Sequence, residues 1–199
     1  MREKKLLGEI FCARLTKHGS TAWIAARVGD SEEEVQRQIG FLRKKGLVTG
    51  SSSEPSLTEK GRRRIRVIFT GGGYEIVHPG HLYTIEQAKK SGDVLVLVLA
   101  RSSTIRKRKG RGPIASEEER RALLSSLRQV DAAILGSTGS IYETLERVKP
   151  DVVALGYDQH HAEGEIKREA KKRGMKLKVV RLSALNRDVK TSKILADYI

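Results

Sequence analysis

Residues 65–81 read IRVIFTGGGYEIVHPGH, and this stretch decides the fold. An apolar run at residues 65–69 is followed by three consecutive glycines, and HPGH at residues 78–81 then opens a helical pattern. Glycine lets the backbone approach a ligand closely with its N–H groups turned inward. A helix N-terminus attracts anions through its unpaired N–H groups and its dipole. The stretch therefore predicts a strand, a phosphate-binding turn and a helix.

The chain beyond residue 65 alternates between strand and helix patterns. Apolar β-rich runs occur at residues 65–69, 94–99, 132–135, 152–155 and 177–180. Helical patterns occur at residues 82–91, 117–129, 141–148 and 163–173, and a last one starts near residue 191. This alternation predicts an α/β fold, a Rossmann-like parallel sheet covered by helices on both faces. Ligands of such sheets bind beyond the carboxyl ends of the strands.

Two histidines at the predicted helix start are the main candidates for catalysis. His78 and His81 are three residues apart, so they can face the same side of the first helical turn. Imidazoles in that position can donate hydrogen bonds to phosphate oxygens as charge develops in a transition state. Gly80 keeps the start of the helix thin enough for a triphosphate to lie across it. The spacing indicates a nucleotide-binding site.

HPGH resembles the HxGH signature of the nucleotidyltransferase superfamily, which includes cytidylyltransferases, adenylyltransferases and archaeal FAD synthases. The resemblance covers about residues 65–199 and implies catalytic roles for His78 and His81. It also implies nucleotide binding by Gly80 and by the residues of the strand exit. These are Thr70, Gly71, Gly72, Gly73 and Tyr74. The family often has G-T-F-D before its HxGH, where this chain has Gly72, Gly73, Tyr74 and Glu75. This departure bears on the identity of the acceptor more than on the type of reaction.

A basic stretch follows the second predicted strand. Residues 101–111, RSSTIRKRKGR, contain six basic residues and no acidic one, and should lie over the ligand end of the sheet. The resemblance implies that one of these side chains reaches the triphosphate. Lys109 is the candidate, with Arg106, Lys107 and Arg108 as alternatives. A solvated loop or an RNA-binding stretch are other interpretations of the same residues.

Two later segments also match the superfamily. The resemblance implies that Gly156, Asp158 and Gln159, in a G-x-D-Q pattern, lie beside the base and ribose of the nucleotide. It implies that Thr191 and Ser192 bind the β- and γ-phosphates at a helix N-terminus, with Arg187 assisting them. A Thr-Ser pair is also an ordinary helix cap.

The order of these motifs is closest to the archaeal FAD synthase type, which implies adenylyl transfer from ATP to FMN with release of pyrophosphate. One alternative is a CTP-dependent transferase that acts on a polyol or headgroup phosphate. Others are a nucleotide-sensing, DNA-binding transcription regulator and an RNA-binding or RNA-modifying protein. Mg²⁺ is expected to accompany the triphosphate, and we predict no metal site formed by the protein alone.

Residues 1–64 have a different pattern, three helices and then two short apolar segments around a polar tip at residues 49–55. This arrangement resembles a small winged helix-turn-helix domain preceding the nucleotidyltransferase domain of residues 65–199. The third helix would then present basic and polar side chains to the phosphate backbone of DNA or RNA. These are Arg37, Gln38, Arg43, Lys44 and Lys45. Docking or dimerisation is the alternative, because residues 32–34 are all glutamate and would repel DNA.

Composition limits the remaining possibilities. The net charge is +15 over 199 residues, which favours phosphate-rich partners. A single cysteine, Cys12, excludes an internal disulfide. The longest apolar run, residues 94–100, is far shorter than the roughly 18 residues that a membrane helix needs. The sequence therefore predicts a cytoplasmic protein with no membrane partner, and it leaves a homodimer open.

Overall fold

The computed structural model describes residues 2–159, 161–183, 191 and 194. The chain forms two compact units, residues 1–66 and residues 67–199. In the described part of the chain, no helix has the length and apolar character that crossing a bilayer requires.

Three helices open the first unit: α1 (Arg2–Thr16), α2 (Thr21–Val28) and α3 (Glu32–Lys44). Ser20 and Ser31 cap α2 and α3, since their hydroxyl oxygens accept from the backbone N–H groups of Trp23 and Glu34, each at 3.2 Å. Glu34 is three residues after Ser31, the spacing of a capping box. Instead, the Glu34 carboxylate accepts hydrogen bonds from side chains further along α3, which are more favourable partners because one of them is a cation.

A hairpin follows these helices, formed by β1 (Val48–Gly50) and β2 (Pro55–Leu57) in antiparallel pairing. A short helix, α4 (Glu59–Arg62), comes next. A Cβ atom at Gly61 would collide with the carbonyl oxygen of Leu47, so only glycine lets α4 pack this closely on the chain that enters the hairpin. The hairpin lies where the sequence predicted a wing. The winged helix-turn-helix assignment of this unit stays a prediction.

The second unit is built on a five-stranded parallel sheet in the order β5-β4-β3-β6-β7. The strands are β3 (Val67–Gly72), β4 (Val94–Leu99), β5 (Ala132–Leu135), β6 (Val152–Leu155) and β7 (Lys178–Arg181). This is the Rossmann-like α/β sheet that the alternating pattern predicted, and the fold class is confirmed. β3 extends three residues beyond its apolar run, because Thr70, Gly71 and Gly72 pair in register with β4.

Helices cover the sheet and supply its parallel crossovers. They are α5 (Pro79–Lys89), α6 (Ser102–Lys109), α7 (Glu117–Ser125), α8 (Ile141–Val148) and α9 (Glu163–Lys172). The core between the layers contains Ile68, Leu95 and Leu97, which are fully buried. The continuous burial of β4 explains its uninterrupted Val-Leu alternation, because a central parallel strand meets apolar neighbours on both faces.

Sequence analysis did not predict α6, which forms in the basic stretch. Arginine and lysine are good helix formers, and Gly110 ends the helix in the left-handed conformation, with φ of 72°. Only Ile105 of α6 is buried, so the helix lacks the apolar periodicity on which the prediction depended.

Strand order places the ligand end of the sheet. β3 is flanked by β4 on one side and by β6 on the other. The chain runs from β3 through β4 to the edge strand β5 and then returns to the other side of β3 as β6, so the direction of the crossovers reverses at β3. A crevice forms at such a switch point, beyond the carboxyl ends of the strands. The glycines lie at the end of β3, and the HPGH motif begins after five further residues, so both lie at this crevice.

Candidate active site

A cavity of about 820 Å³ lies at the carboxyl ends of the strands. This volume is within the range of roughly 300–1,000 Å³ that small-molecule sites occupy. The cavity extends from the exit of β5 to the exit of β6. Among the predicted site residues, those that line it are Gly71, Gly72, Gly73, Tyr74, His78, Gly80, His81, Lys109, Asp158, Gln159 and Thr191. Residues far apart in the sequence are thus brought together at the predicted position.

Two of the predicted nucleotide-site residues within the described chain do not line the cavity. Thr70 is fully buried, and its hydroxyl donates to the carbonyl oxygen of Ala154 at 2.9 Å, which ties β3 to β6. Gly156 is buried at the exit of β6. Arg187 and Ser192 lie outside the described residues.

The two histidines stand together at the N-terminus of α5. His78 is the N-cap residue, Pro79 begins the helix, and the two imidazole rings are stacked with their centroids 3.9 Å apart. The Nδ1 atoms of both rings are buried, and neither makes a hydrogen bond of normal geometry. The backbone of Ile76 lies near enough to His81 to raise the pKa of its ring. The pair therefore has hydrogen-bonding capacity that the described residues do not use.

Burial keeps these imidazoles uncharged. Burial and, to a smaller extent, the neighbouring His78 lower the pKa of His81 to about 4, against the opposing effects of the Ile76 backbone and the Asp158 carboxylate. Burial also lowers the pKa of His78, and Asp158 again opposes the shift. Both rings are thus neutral at pH 7, and each can donate one N–H to a phosphate oxygen.

The low pKa of His81 predicts a pH-dependent stability. The unfolded chain binds a proton on this histidine below its ordinary pKa of 6.5, whereas the folded chain binds it only near pH 4. Stability is therefore lost as the pH falls from 6.5 to 4. We expect the free energy of unfolding to fall by about 1–3 kcal/mol less in His81→Asn than in the wild type between pH 7 and pH 4.5, measured by urea unfolding at both pH values. Equal losses in the wild type and the variant would contradict the assignment.

Tyr74 fixes the turn between the glycines and the histidines. Its backbone has φ of 48°, in the left-handed region, and its ring is 5% exposed within the core cluster. The ring centroid lies 5.0 Å from that of His81. A Cβ atom on Gly72 would lie 2.9 Å from the Tyr74 ring, so glycine is needed for this close approach. The tyrosine ring supports His81 from the protein side of the cavity.

Arg120, on α7, is 1% exposed and hydrogen-bonds to the same turn. Its Nη1 donates to the carbonyl oxygens of Gly73 at 2.7 Å and Ala100 at 3.1 Å. Its Nη2 donates to the Ser102 hydroxyl at 3.3 Å. Burial lowers the pKa of Arg120, and the Glu117 and Glu75 carboxylates oppose that shift. One side chain thus joins the exits of β3 and β4 to the start of α6.

The helix α6 lies along the cavity with its basic C-terminal end at the glycine turn. Arg108 and Lys109 line the cavity. Lys109 donates to the Glu75 carboxylate, which also accepts from Arg111 at 2.8 Å. Burial alone would raise the pKa of Glu75, but the hydrogen bonds from the two cations lower it overall. The candidate lysine is thus held at the cavity by a buried anion.

The loop after β6 forms the opposite wall. The Gln159 amide donates to the carbonyl oxygen of Gly71, which joins this loop to the glycine turn. Arg181, at the end of β7, donates to the carbonyl oxygens of Gly156 at 3.0 Å, Gln159 at 3.1 Å and His161 at 2.8 Å. The wall that carries Asp158 is therefore held in place by one arginine from the neighbouring strand.

Sequence reasoning missed Glu75, Arg120 and Arg181 as organisers of the site. The partners named above are 18 to 47 positions away along the chain. No local period reports such contacts. The one signal in the sequence is the segment Glu119-Arg120-Arg121, which resembles a Glu-Glu-Arg or Glu-Gln-Arg segment of the superfamily but indicates no buried role for Arg120.

The described residues contain no group of three or more histidine, cysteine or acidic side chains that could hold a metal ion. Mg²⁺ commonly binds through substrate phosphates with few protein ligands. The side chains present fit an ion that the triphosphate carries, and Asp158 is the carboxylate that faces the histidines across the cavity.

The predicted nucleic-acid contacts lie on or just after α3. Arg37 and Gln38 bind Glu34, and Lys45 donates to Glu3 at 2.8 Å. Arg43 lies 3.4 Å from the Ser52 hydroxyl at the hairpin tip, and Lys44 is exposed. Internal acidic partners reduce the charge that this surface offers to a phosphate backbone. Nucleic-acid binding by this unit stays a prediction.

Comparison with known proteins connects this geometry to a family. The family model described as cytidylyltransferase-like matches residues 69–196. The FAD synthase of Aciduliprofundum boonei is 48% identical over 118 residues, which cover 59% of this chain and 78% of the relative. The FAD synthase of Pyrococcus abyssi is 41% identical over 138 residues, 68% of this chain and 93% of the relative.

A solved structure agrees with these sequence matches. The lipopolysaccharide core biosynthesis protein of Thermoplasma volcanium superposes with a TM-score of 0.60 at 42% identity. The match covers 61% of this chain and 99% of that chain. The resemblance to HxGH nucleotidyltransferases that the sequence indicated is confirmed.

Proposed function

Because the chain belongs to the cytidylyltransferase-like family of nucleotidyltransferases, we propose that it is an FMN adenylyltransferase, an FAD synthase that joins AMP from ATP to FMN and releases pyrophosphate. The observation that carries the proposal is the stacked pair His78 and His81, which stands beside a glycine turn at the switch point of a parallel sheet. The relatives named FAD synthase, at 41% and 48% identity, support FMN as the acceptor.

The proposed reaction is an in-line displacement at the α-phosphorus of ATP. An oxygen of the FMN phosphate forms the new P–O bond, and the bond from the α-phosphorus to the bridging oxygen breaks with its electron pair leaving on pyrophosphate. The FMN phosphate is already ionised at pH 7, so the protein need not supply a general base. Catalysis then consists of positioning and charge stabilisation.

The residues of the cavity divide this work. The neutral imidazoles of His78 and His81 donate N–H groups to phosphate oxygens whose charge increases in the transition state. Lys109 adds a positive charge to the triphosphate from the end of α6. Mg²⁺, carried by the triphosphate, would add charge neutralisation when it is bound.

The two ends of the cavity suggest where each substrate binds. Asp158 and Gln159 line the β6 side, and the base and ribose would bind beside them, as the family resemblance implies. Ser137 and Ile141, at the exit of β5, line the other end, which leaves room for the acceptor. The FMN phosphate would then meet the α-phosphate near the histidines, between the two ends.

The direct test is product formation by the purified chain. We expect ATP, FMN and Mg²⁺ to give FAD and pyrophosphate in equal amounts, with FAD separated by chromatography and pyrophosphate measured by an enzyme-coupled assay. CTP with FMN, and CTP with glycerol phosphate, are the parallel reactions. Cytidylyl transfer to glycerol phosphate without FAD formation would instead support the headgroup-phosphate alternative.

A further inference from the structure

We propose that Glu75 and Arg111 act as a positioning pair for Lys109, in which Arg111 keeps the buried Glu75 carboxylate paired while Lys109 moves to the triphosphate. This inference rests on the proposed function, because it describes how the same site delivers its cation to ATP. Both Glu75 and Arg111 are positioning residues, since they act on the nucleotide through Lys109.

Glu75 is a buried carboxylate with two cationic partners. Its side chain is 1% exposed, whereas those of Lys109 and Arg111 are 39% and 40% exposed. One carboxylate oxygen, Oε2, accepts from Lys109, and the other, Oε1, accepts from Arg111 at 2.8 Å. The two cations therefore do not compete for one oxygen, and either can leave without displacing the other.

The two partners differ in their access to the nucleotide. Glu75 and Lys109 line the cavity, and Arg111 is not among the described residues that do. Arg111 also donates to the carbonyl oxygen of Gly112 at 3.0 Å, which holds its guanidinium in place. Lys109 has a flexible four-carbon stem and a compact ammonium, which suits a cation that changes partners. Arg111 is thus the fixed partner and Lys109 the mobile one.

Electrostatics explain why a second cation is needed. Removing the single partner of a buried charge is strongly unfavourable, because the remaining charge is left desolvated and uncompensated. With Arg111 in place, the Glu75 carboxylate keeps a charged hydrogen bond after Lys109 leaves. Without Arg111, Lys109 would be held on Glu75 and the triphosphate would lose its cation. Arg120, whose charge also acts on Glu75, lies below the turn and hydrogen-bonds to backbone carbonyls instead.

A double-mutant cycle on MgATP binding tests this arrangement. We expect Arg111→Gln to weaken MgATP affinity about tenfold, measured by titration calorimetry in the absence of FMN. In the Glu75→Gln background, where no buried charge holds Lys109, the same change is expected to have an effect below about twofold. Arg111→Lys, which restores a cation, is expected to recover affinity to within about threefold of the wild type.

Controls separate positioning from folding and from general charge. Arg121→Gln removes one positive charge from an exposed pair with Glu118 on α7 and is expected to change MgATP affinity by less than about twofold. FMN affinity, measured separately by fluorescence, should be the same in Arg111→Gln and Arg111→Lys as in the wild type, whereas a loss of fold would weaken the binding of both ligands.

The outcomes distinguish this inference from the function on which it rests. An equal loss of MgATP affinity on Arg111→Gln in both backgrounds would mean that Arg111 contacts the nucleotide itself, and would overturn the pairing. No loss in either background would overturn it as well. Failure of the wild-type chain to bind MgATP would overturn the proposed function, and this inference with it.

Discussion

His81→Ala is expected to lower kcat for FAD formation by about 10²–10³-fold, the size of effect that follows loss of one donor to a developing phosphate charge. The reason is geometric. The His81 ring is stacked 3.9 Å from His78 and supported by the Tyr74 ring, so its N–H is held in position before the substrate arrives. A donor that needs no reorganisation stabilises the transition state more than the ground state, and the KM for ATP should change much less than kcat.

The same change at His78 should give a loss of similar size. Because the rings contact each other, the two losses are not expected to add. The kcat of the double variant should be no more than about tenfold below that of the less active single variant. His18→Ala is the matched control, since this histidine stacks on Trp23 in the first unit. Wild-type turnover in the His78→Ala/His81→Ala double variant would refute the assigned site.

Arg120→Met is expected to lower the free energy of unfolding by about 3–5 kcal/mol, measured by urea denaturation at pH 7. Methionine fills much of the same space but leaves the carbonyl oxygens of Gly73 and Ala100 without the donors that Arg120 supplies. Each buried polar group without a partner costs about 1–3 kcal/mol. The Glu75 and Glu117 carboxylates also lose a neighbouring positive charge.

Arg121→Met, one position further along α7, is the control for this substitution. Arg121 is paired with the exposed Glu118, so its loss is expected to cost less than about 1 kcal/mol. Arg120→Lys keeps the charge but lacks the planar fork, and it should lie between the other two. Equal stabilities of Arg120→Met and Arg121→Met would show that the buried guanidinium does not hold the two strand exits together.

Local signals in the sequence were sufficient for the architecture of the second unit. The apolar runs at β3, β4 and β6 are strands because buried parallel strands need side chains that pack on both faces. Ser116 and Glu119, three residues apart, form a capping box at the start of α7. The helix α6 was missed because its one buried side chain, Ile105, gives no helical period.

The candidate site was predicted in position but only partly in its contacts. The glycine turn and HPGH are contiguous in the sequence, so the order of strand, turn and helix placed them at the ligand end of the sheet. Tyr74 lines the cavity, and its ring also belongs to the core. The left-handed backbone that turns the ring inward depends on space that Gly72 leaves open, which no pattern of residue types reports.

The amino-acid sequence by itself determined the Rossmann-like fold, the glycine turn and the pair His78 and His81 at the start of a helix, because these depend on neighbouring residues and on periodic burial. Only the tertiary structure decided which charges meet. It paired Lys109 with Glu75 and directed Arg120 to the carbonyl oxygen of Gly73. It also directed Arg181 to the backbone of the loop that carries Asp158. The physical reason is that charged side chains look alike along the sequence, and a buried ion pair or carbonyl contact exists only once the packed strands bring distant residues together.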